Sequence, residues 1–177
     1  MNVQFETQRL TVRTLEATDE MLYCHLYGDL ESMRFVGTPI SLDSAARRFC
    51  RQLEARVAEP ADFSCLVMLE RSSGASIGIC GLQSLDRVRR SVEAGMMLTS
   101  AARGWGIARE GLSALVDYAF RLFPVDEVWV QYPPEHLRAE RLVVDVGFVP
   151  GGSVATEARF AEKCVWSIVR KCWCSTH

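Results

Sequence analysis

The chain of 177 residues falls in the ~100–200 residues usual for one domain, long enough to bury about 70% of its unfolded surface in its own core. A net charge of −2 and a sequence pI near 5.9 give no general attraction to nucleic acid or to acidic membranes. No run approaches the ~18 apolar residues of a membrane span, and Met1 to Thr7 lacks the basic start and apolar middle of a signal peptide, so a single cytoplasmic domain over residues 1–177 is expected.

In chain order, a first strand is predicted over Leu10 to Leu15. Thr18 then reads as the cap of a helix that opens on Asp19-Glu20 and carries Leu22, Leu26 and Leu30. A second helix starts at Ser41, with Ala45, Phe49, Leu53 and Val57 on one face and Arg47, Arg48, Arg51 and Arg56 on the opposite, solvated one. Strands follow over Phe63 to Glu70, Ala75 to Leu85 and Ser91 to Leu98, joined by polar turns into an antiparallel meander. A long helix then places Ala108, Leu112, Leu115, Ala119 and Leu122 together and stops before Pro124. Asp126 to Tyr132 forms a fifth strand, Pro133-Pro134 opens a helix to about Val146, and Gly147-Phe148 begins a last hairpin ending near Lys171. The expected fold is α+β: a mixed, mostly antiparallel sheet of six to seven strands with helices on both faces.

The junction from Ser91 to Leu112 carries the chemistry, because a strand, a glycine loop and a helix start follow one another directly. Glycines at 104 and 106 permit positive φ and a close approach of ligand to main chain. The unpaired amides and positive dipole end of a helix starting near Ile107 then add to an anion cradle, with Arg103 and Arg109 supplying mobile charge. A nucleotide-hydrolysing loop would need Gly-Lys-Ser/Thr where this chain has Gly106-Ile107-Ala108-Arg109. A dinucleotide fingerprint would need a third glycine where Arg109 stands.

Seven cysteines, at 24, 50, 65, 80, 164, 172 and 174, are odd in number and scattered through apolar segments, so most read as buried reduced thiols. Cys172-Trp173-Cys174 with His177 has the wrong spacing for tetrahedral zinc, and no metal is expected.

The loop resembles the acyl-coenzyme A loop of the GCN5-related N-acetyltransferase (GNAT) superfamily, whose signature Arg/Gln-x-x-Gly-x-Gly/Ala is met in order by Arg103, Gly106 and Ala108. Thr7-Gln8-Arg9-Leu10-Thr11-Val12-Arg13 is similar to the Thr-x-Arg-Leu-x-x-Arg opening of the RimJ/RimL-type branch, and the resemblance runs on to the last strand around Val165-Trp166-Ser167-Ile168. It implies the GNAT fold, in which the fourth and fifth strands run parallel but splay, and acetyl-CoA as co-substrate without a metal. The pantetheine arm would line the free edge of Met96, Met97 and Leu98, with the phosphates on Arg103, Gly104, Trp105, Gly106, Ile107, Ala108 and Arg109. The helix pair between the first two strands is where this superfamily shapes its acceptor pocket.

The thioester would then sit near Glu93 to Gly95. Glu93, a carboxylate within an apolar strand, is either the general base, its pKa raised by partial burial, or a sheet glutamate paired with an arginine. Gly95 marks either a bulge that frees backbone groups or a packing position. The oxyanion would be met by a strand amide near Met96 or Met97. Relatives usually carry Asn-x-x-Ser/Ala after the fifth strand and often a tyrosine later in the helix; here His136, Ala139 and Val143 stand in those places. His136 either donates to a pantetheine carbonyl or serves as proton donor, or is a surface residue at a helix start. Tyr132, the nearest remaining hydroxyl, is either the acid or a strand-end aromatic. The reading is an N-acetyltransferase acting on a primary amine, a small molecule or a protein N-terminus; the alternative is a non-catalytic CoA-binding module of the same fold. The Arg-rich helix and apolar last strand leave room for a homodimer.

Overall fold

In the computed structural model, residues 3–55, 64–104, 106–155, 160 and 162–176 are described. The elements are β1 (Val3–Glu6), β2 (Leu10–Thr14), α1 (Glu20–Gly28), α2 (Leu42–Ala55), β3 (Ser64–Glu70), β4 (Ser76–Asp86), β5 (Ser91–Leu98), α3 (Ile107–Leu122), β6 (Glu127–Tyr132), α4 (Leu137–Val146), β7 (Val149–Ala155), β8 (Glu162–Val169) and α5 (Arg170–Thr176). One sheet joins all eight strands in the order β1-β2-β3-β4-β5-β6-β8-β7. Every neighbouring pair is antiparallel except β5 and β6.

Alternation along the strands divides the core into two layers. Leu10, Val12, Leu66, Met68, Cys80, Leu82, Val92 and Ala94 face α3 and α4, meeting Leu112, Leu115, Val116, Ala119 and Val143. Val67, Leu69 and Ile79 face the other way, onto Tyr23 and Leu26 of α1 and Phe49 of α2. Helices thus cover both faces, as the sequence led one to expect. At Gly111 a Cβ would stand 2.5 Å from Met68 Cε, so the missing side chain is what lets α3 lie close on the sheet.

The number of strands exceeds the expected six to seven because of β1. Its four residues are too short to show a period, yet Phe5 packs 5.1 Å from the Tyr118 ring and Tyr118 Oη donates to Gln4 Oε1 at 2.9 Å. The chain also ends in a helix, α5, rather than in the strand itself; Trp173 anchors it, buried and donating from Nε1 to Asp117 Oδ1 at 2.5 Å. Thr18 is not a cap. Residues Ala17–Asp19 form a 3-10 turn in which the Glu16 N–H donates to Asp19 Oδ2 at 2.7 Å, and the same carboxylate receives Arg13 Nη1 and Nη2 at 2.7 and 2.8 Å in a buried pair. Leu30 falls beyond α1 and is exposed, because Asp29 turns the chain into an extended conformation. Leu122 is likewise exposed at the end of α3.

Ser41 does start the second helix: its Oγ accepts the Ser44 N–H at 3.3 Å, and Arg47, Arg48 and Arg51 are exposed. Val57, Arg56 and Phe63 lie outside the described residues. Pro133-Pro134 forms a turn rather than a helix opening, with the His136 N–H donating to Pro133 O at 2.9 Å and α4 starting one residue later. Of the described cysteines, Cys24 and Cys80 are buried while Cys50 and Cys172 are exposed, so burial is less general than expected. Burial pushes the Cys65 thiol up to about 12, which keeps it an inert neutral group.

Candidate active site

β5 and β6 are paired only over Ser91↔Glu127, Val92↔Val128 and Glu93↔Trp129. β5 then continues to Leu98 on β4 alone, and β6 to Tyr132 on β8 alone, so from Ala94 and Val130 onward the two strands part. The free edge on one bank belongs to Ala94, Gly95, Met96, Met97 and Leu98, as a slot for an extended ligand requires. Met96 and Leu98 pack toward the α3 layer and Met97 toward the α1–α2 layer, so the strand presents its backbone, not its side chains, to the gap.

Gly95 is not a bulge, for its register with Gly81 is regular; the irregularity lies between Gln83 and Asp86, where Ser84 has φ of 54°. Nor is it a packing glycine. A Cβ there would meet nothing within 4 Å, so Gly95 leaves room on the sheet face between Glu93 and Met97.

Glu93 is 6% exposed. Gln131 Nε2 donates to its Oε1 at 2.9 Å and Ser84 Oγ to its Oε2 at 3.2 Å. Among the described residues no arginine pairs with Glu93; an amide and a hydroxyl orient the carboxylate. Gln131 lies on β6 two residues beyond Trp129, so this bond reaches diagonally across the seam just past the last paired rung. Gln131 and Ser84 escaped sequence reading because only the register brings them to Glu93.

Tyr132 and His136 form the far bank. Val128, Val130 and Tyr132 face the α3–α4 layer, whereas Gln131 and Glu93 share the α1–α2 face, so the carboxylate and the phenol approach the gap from opposite sides of the sheet. Tyr132 is 6% exposed and, among the described residues, its buried Oη has no hydrogen-bond partner. Burial first, with Cys164 and Glu140 adding, pushes its pKa up to about 12, so the phenol keeps its proton. His136 caps α4, stacks on Phe35 at 4.2 Å and 16°, and meets the Tyr132 ring edge-on at 6.5 Å. Its Nδ1 is also buried, with no partner among the described residues. Desolvation and then the charges of Arg138, Arg103 and Arg34 hold its pKa below the ordinary value. The ring thus stands half-buried at the start of α4. Val143 is buried in the core at the place where a tyrosine was sought.

The loop after β5 does not wind into helix. Ser100–Ala102 is a 3-10 turn, Gly104 and Gly106 take φ of 118° and 74°, and α3 begins at Ile107. The Ile107 N–H donates to Gly104 O at 3.2 Å and the Glu110 N–H to Gly106 O at 3.0 Å, so the first turn of α3 is bonded back onto this loop, with the positive end of the helix dipole there. Ile107 sends its side chain into the core, Ala108 is half-buried, and Arg109 is exposed. Trp105 lies outside the described residues. Arg103 crosses to the segment after α1, pairing with Glu31 at 2.5 Å and reaching Ser32 Oγ at 3.3 Å. Since Phe35 of that segment stacks on His136, residues 31–35 touch both the loop after β5 and the far bank, a feature with no signal in the sequence.

The acetyltransferase (GNAT) domain model matches residues 9–149. An uncharacterized N-acetyltransferase, p20 of Bacillus licheniformis, is 26% identical over 149 residues, 82% of either chain. The spermidine N-acetyltransferase of Vibrio cholerae, solved with CoA and spermine, superposes with a TM-score of 0.82 at 20% identity, covering 95% of this chain and 99% of its own. RimL, a ribosomal L7/L12 α-N-protein acetyltransferase solved with coenzyme A, superposes with a TM-score of 0.81 at 10% identity over 95% and 98%. A family match spanning most of the chain, on a sheet that parts beside a left-handed glycine loop, settles the assignment: this protein belongs to the GNAT family of acyl-CoA-dependent N-acetyltransferases.

Proposed function

We propose that the protein transfers an acetyl group from acetyl-CoA to a primary amine, as a RimJ/RimL-like member of its family. The single observation that carries this reading is the parting of β5 and β6 directly upstream of the Gly104–Gly106 loop. Support for coenzyme A at this site comes from two glycines in the left-handed region, an unfilled space at Gly95, and buried Tyr132 Oη and His136 Nδ1 that have no hydrogen-bond partner among the described residues. The thioester, when bound, supplies the activated acyl group.

In this reading Glu93 takes the ammonium proton through a water, since its carboxylate is acceptor-only and oriented by neutral donors. The β5 edge near Met96 and Met97 offers main-chain N–H groups to the oxygen that gains charge. Met96, Met97 and Leu98 align the pantetheine arm, and the amides from Gly104 to Arg109, with Arg103, hold the phosphates. Tyr132 Oη gives its proton to the departing sulfur, and His136, neutral above its lowered pKa, orients the arm through its free ring nitrogen. The acceptor arrives from the α1–α2 face, where Gly95 leaves room. Small-molecule amines are supported by the spermidine acetyltransferases among the similar structures, and protein N-termini by RimL. The exposed edge strand β7 supports a homodimer, and the thiol-rich composition a cytoplasmic setting.

Calorimetric titration with acetyl-CoA, followed by release of free thiol in the presence of an amine panel, tests the reading. Saturable binding and amine-dependent thiol release are expected; binding without release to any amine would leave a CoA-binding module in place of an enzyme.

A further inference from the structure

The Thr7-x-Arg9 segment has no part in the reaction above, yet it is built into the anion loop. Thr7 Oγ1 donates to Glu110 Oε1 at 2.5 Å, the Arg9 backbone N–H donates to the same oxygen at 2.8 Å, and Arg9 Nε donates to Glu110 Oε2 at 2.6 Å. Glu110 lies in the first turn of α3, and its own N–H donates to Gly106 O at 3.0 Å. Both carboxylate oxygens at the phosphate end of α3 are thus engaged by the turn between β1 and β2. With Nε committed to Glu110, the planar guanidinium has a set direction, and its Nη2 lies 3.4 Å from where a Cβ on Gly106 would stand. Its side chain remains 41% exposed. A bare glutamate at this place would repel a phosphate; one already bonded to a guanidinium instead aims a cation at it.

We propose that Arg9 is a phosphate-binding residue, oriented by Glu110 and Thr7, which adds a charge-assisted contact to the pyrophosphate of coenzyme A from outside the glycine loop. The inference rests on the acyl-CoA reading of that loop. It gives the opening Thr-x-Arg segment a task that its distance in sequence from Arg103 and Gly106 conceals.

Calorimetry on the full chain with CoA, 3′-dephospho-CoA and pantetheine tests it, with thermal melting as a control for folding. Arg9→Gln is expected to weaken CoA and 3′-dephospho-CoA alike by about ten- to a hundredfold and to leave pantetheine unchanged, while Arg9→Lys recovers part of the loss. The double variant Arg9→Gln with Glu110→Gln stays weak if Arg9 touches the phosphate. Recovery in that double variant would show that Arg9 only neutralises Glu110, and the proposal falls. An unchanged affinity in Arg9→Gln overturns it too, as does a loss shared by pantetheine or confined to CoA with its 3′-phosphate. Failure of the unaltered protein to bind any of the three overturns the acyl-CoA reading itself, a result separable from failure of Arg9 alone.

Discussion

His136 shows how one residue can be read by type from sequence and by state only from structure. Its position after the fifth strand was legible because Gly147-Phe148 fixes the spacing, but its ring environment was not. Phe35, which stacks on it, is a hundred residues upstream, and the cations that surround it come from three separate segments: Arg34, Arg103 and Arg138. Desolvation and those charges put the folded-state pKa below 6.5, the ordinary value, so on acidification the unfolded chain takes up the proton first. Stability is therefore unaffected above pH ~6.5 and falls from there down toward the folded pKa, where the imidazolium finally forms against Phe35 and the arginines. Urea denaturation of the parent and of His136→Asn across pH 7.5 to 5 should show the parent losing more stability over that window. Parallel curves would mean that the ring is solvated in both states. Glu93 offers the complementary lesson: its burial followed from its place in an apolar strand, whereas its partners, Gln131 and Ser84, depend on a strand register and on a left-handed serine.

At the level of elements, the slot follows from a mismatch of lengths. β5 runs to Leu98 and β6 to Tyr132, but their parallel pairing ends at Glu93 and Trp129. The boundaries of β3, β4 and β5 were legible because apolar alternation and polar turns agree, and the helix after the loop because Gly106 and Pro124 bracket it. What no period reveals is where a parallel ladder stops, since that depends on helices and loops far away in the chain. Gly95 was visible as an anomaly in a strand, though its purpose was open. With no atom within 4 Å of its would-be Cβ, Gly95→Val should fold without strain and, given the strand preference of valine, gain up to about 1 kcal/mol. The added side chain fills the face between Glu93 and Met97. Turnover should drop at least tenfold, with affinity for CoA changed by no more than about threefold. A variant that keeps full turnover at unaltered melting temperature would place the acceptor elsewhere.

For the whole molecule, a sheet that opens at one end must be pinned at the other. The pin is assembled where β5 and β6 begin. The Asp126 and Glu127 N–H groups both donate to Arg90 O, at 2.7 and 3.2 Å, and the Arg170 N–H donates to Asp126 O at 2.8 Å. The Arg170 guanidinium then donates to Phe120 O, Phe123 O and Val125 O and lies 4.9 Å over the Phe120 ring, capping the carbonyl end of α3 as it turns into β6. Here the sequence was silent, since neither α5 nor an arginine cap on a helix distant in the chain has a local pattern. Removing the guanidinium leaves three carbonyls to find water at a partly buried corner. With hydrogen bonds to charged groups contributing roughly 1.5–3 kcal/mol each and rehydration restoring part of the loss, Arg170→Ala should cost about 2–3 kcal/mol, or roughly 5–10 °C in Tm. The slot lies at the opposite end of the two strands and its contacts remain, so affinity for CoA should hold within about threefold. A stable variant would place the pin elsewhere in the sheet. One that loses stability and CoA binding together would mean that the apex sets the opening angle, so that the strands part by the tension of the corner rather than by the packing of their own side chains.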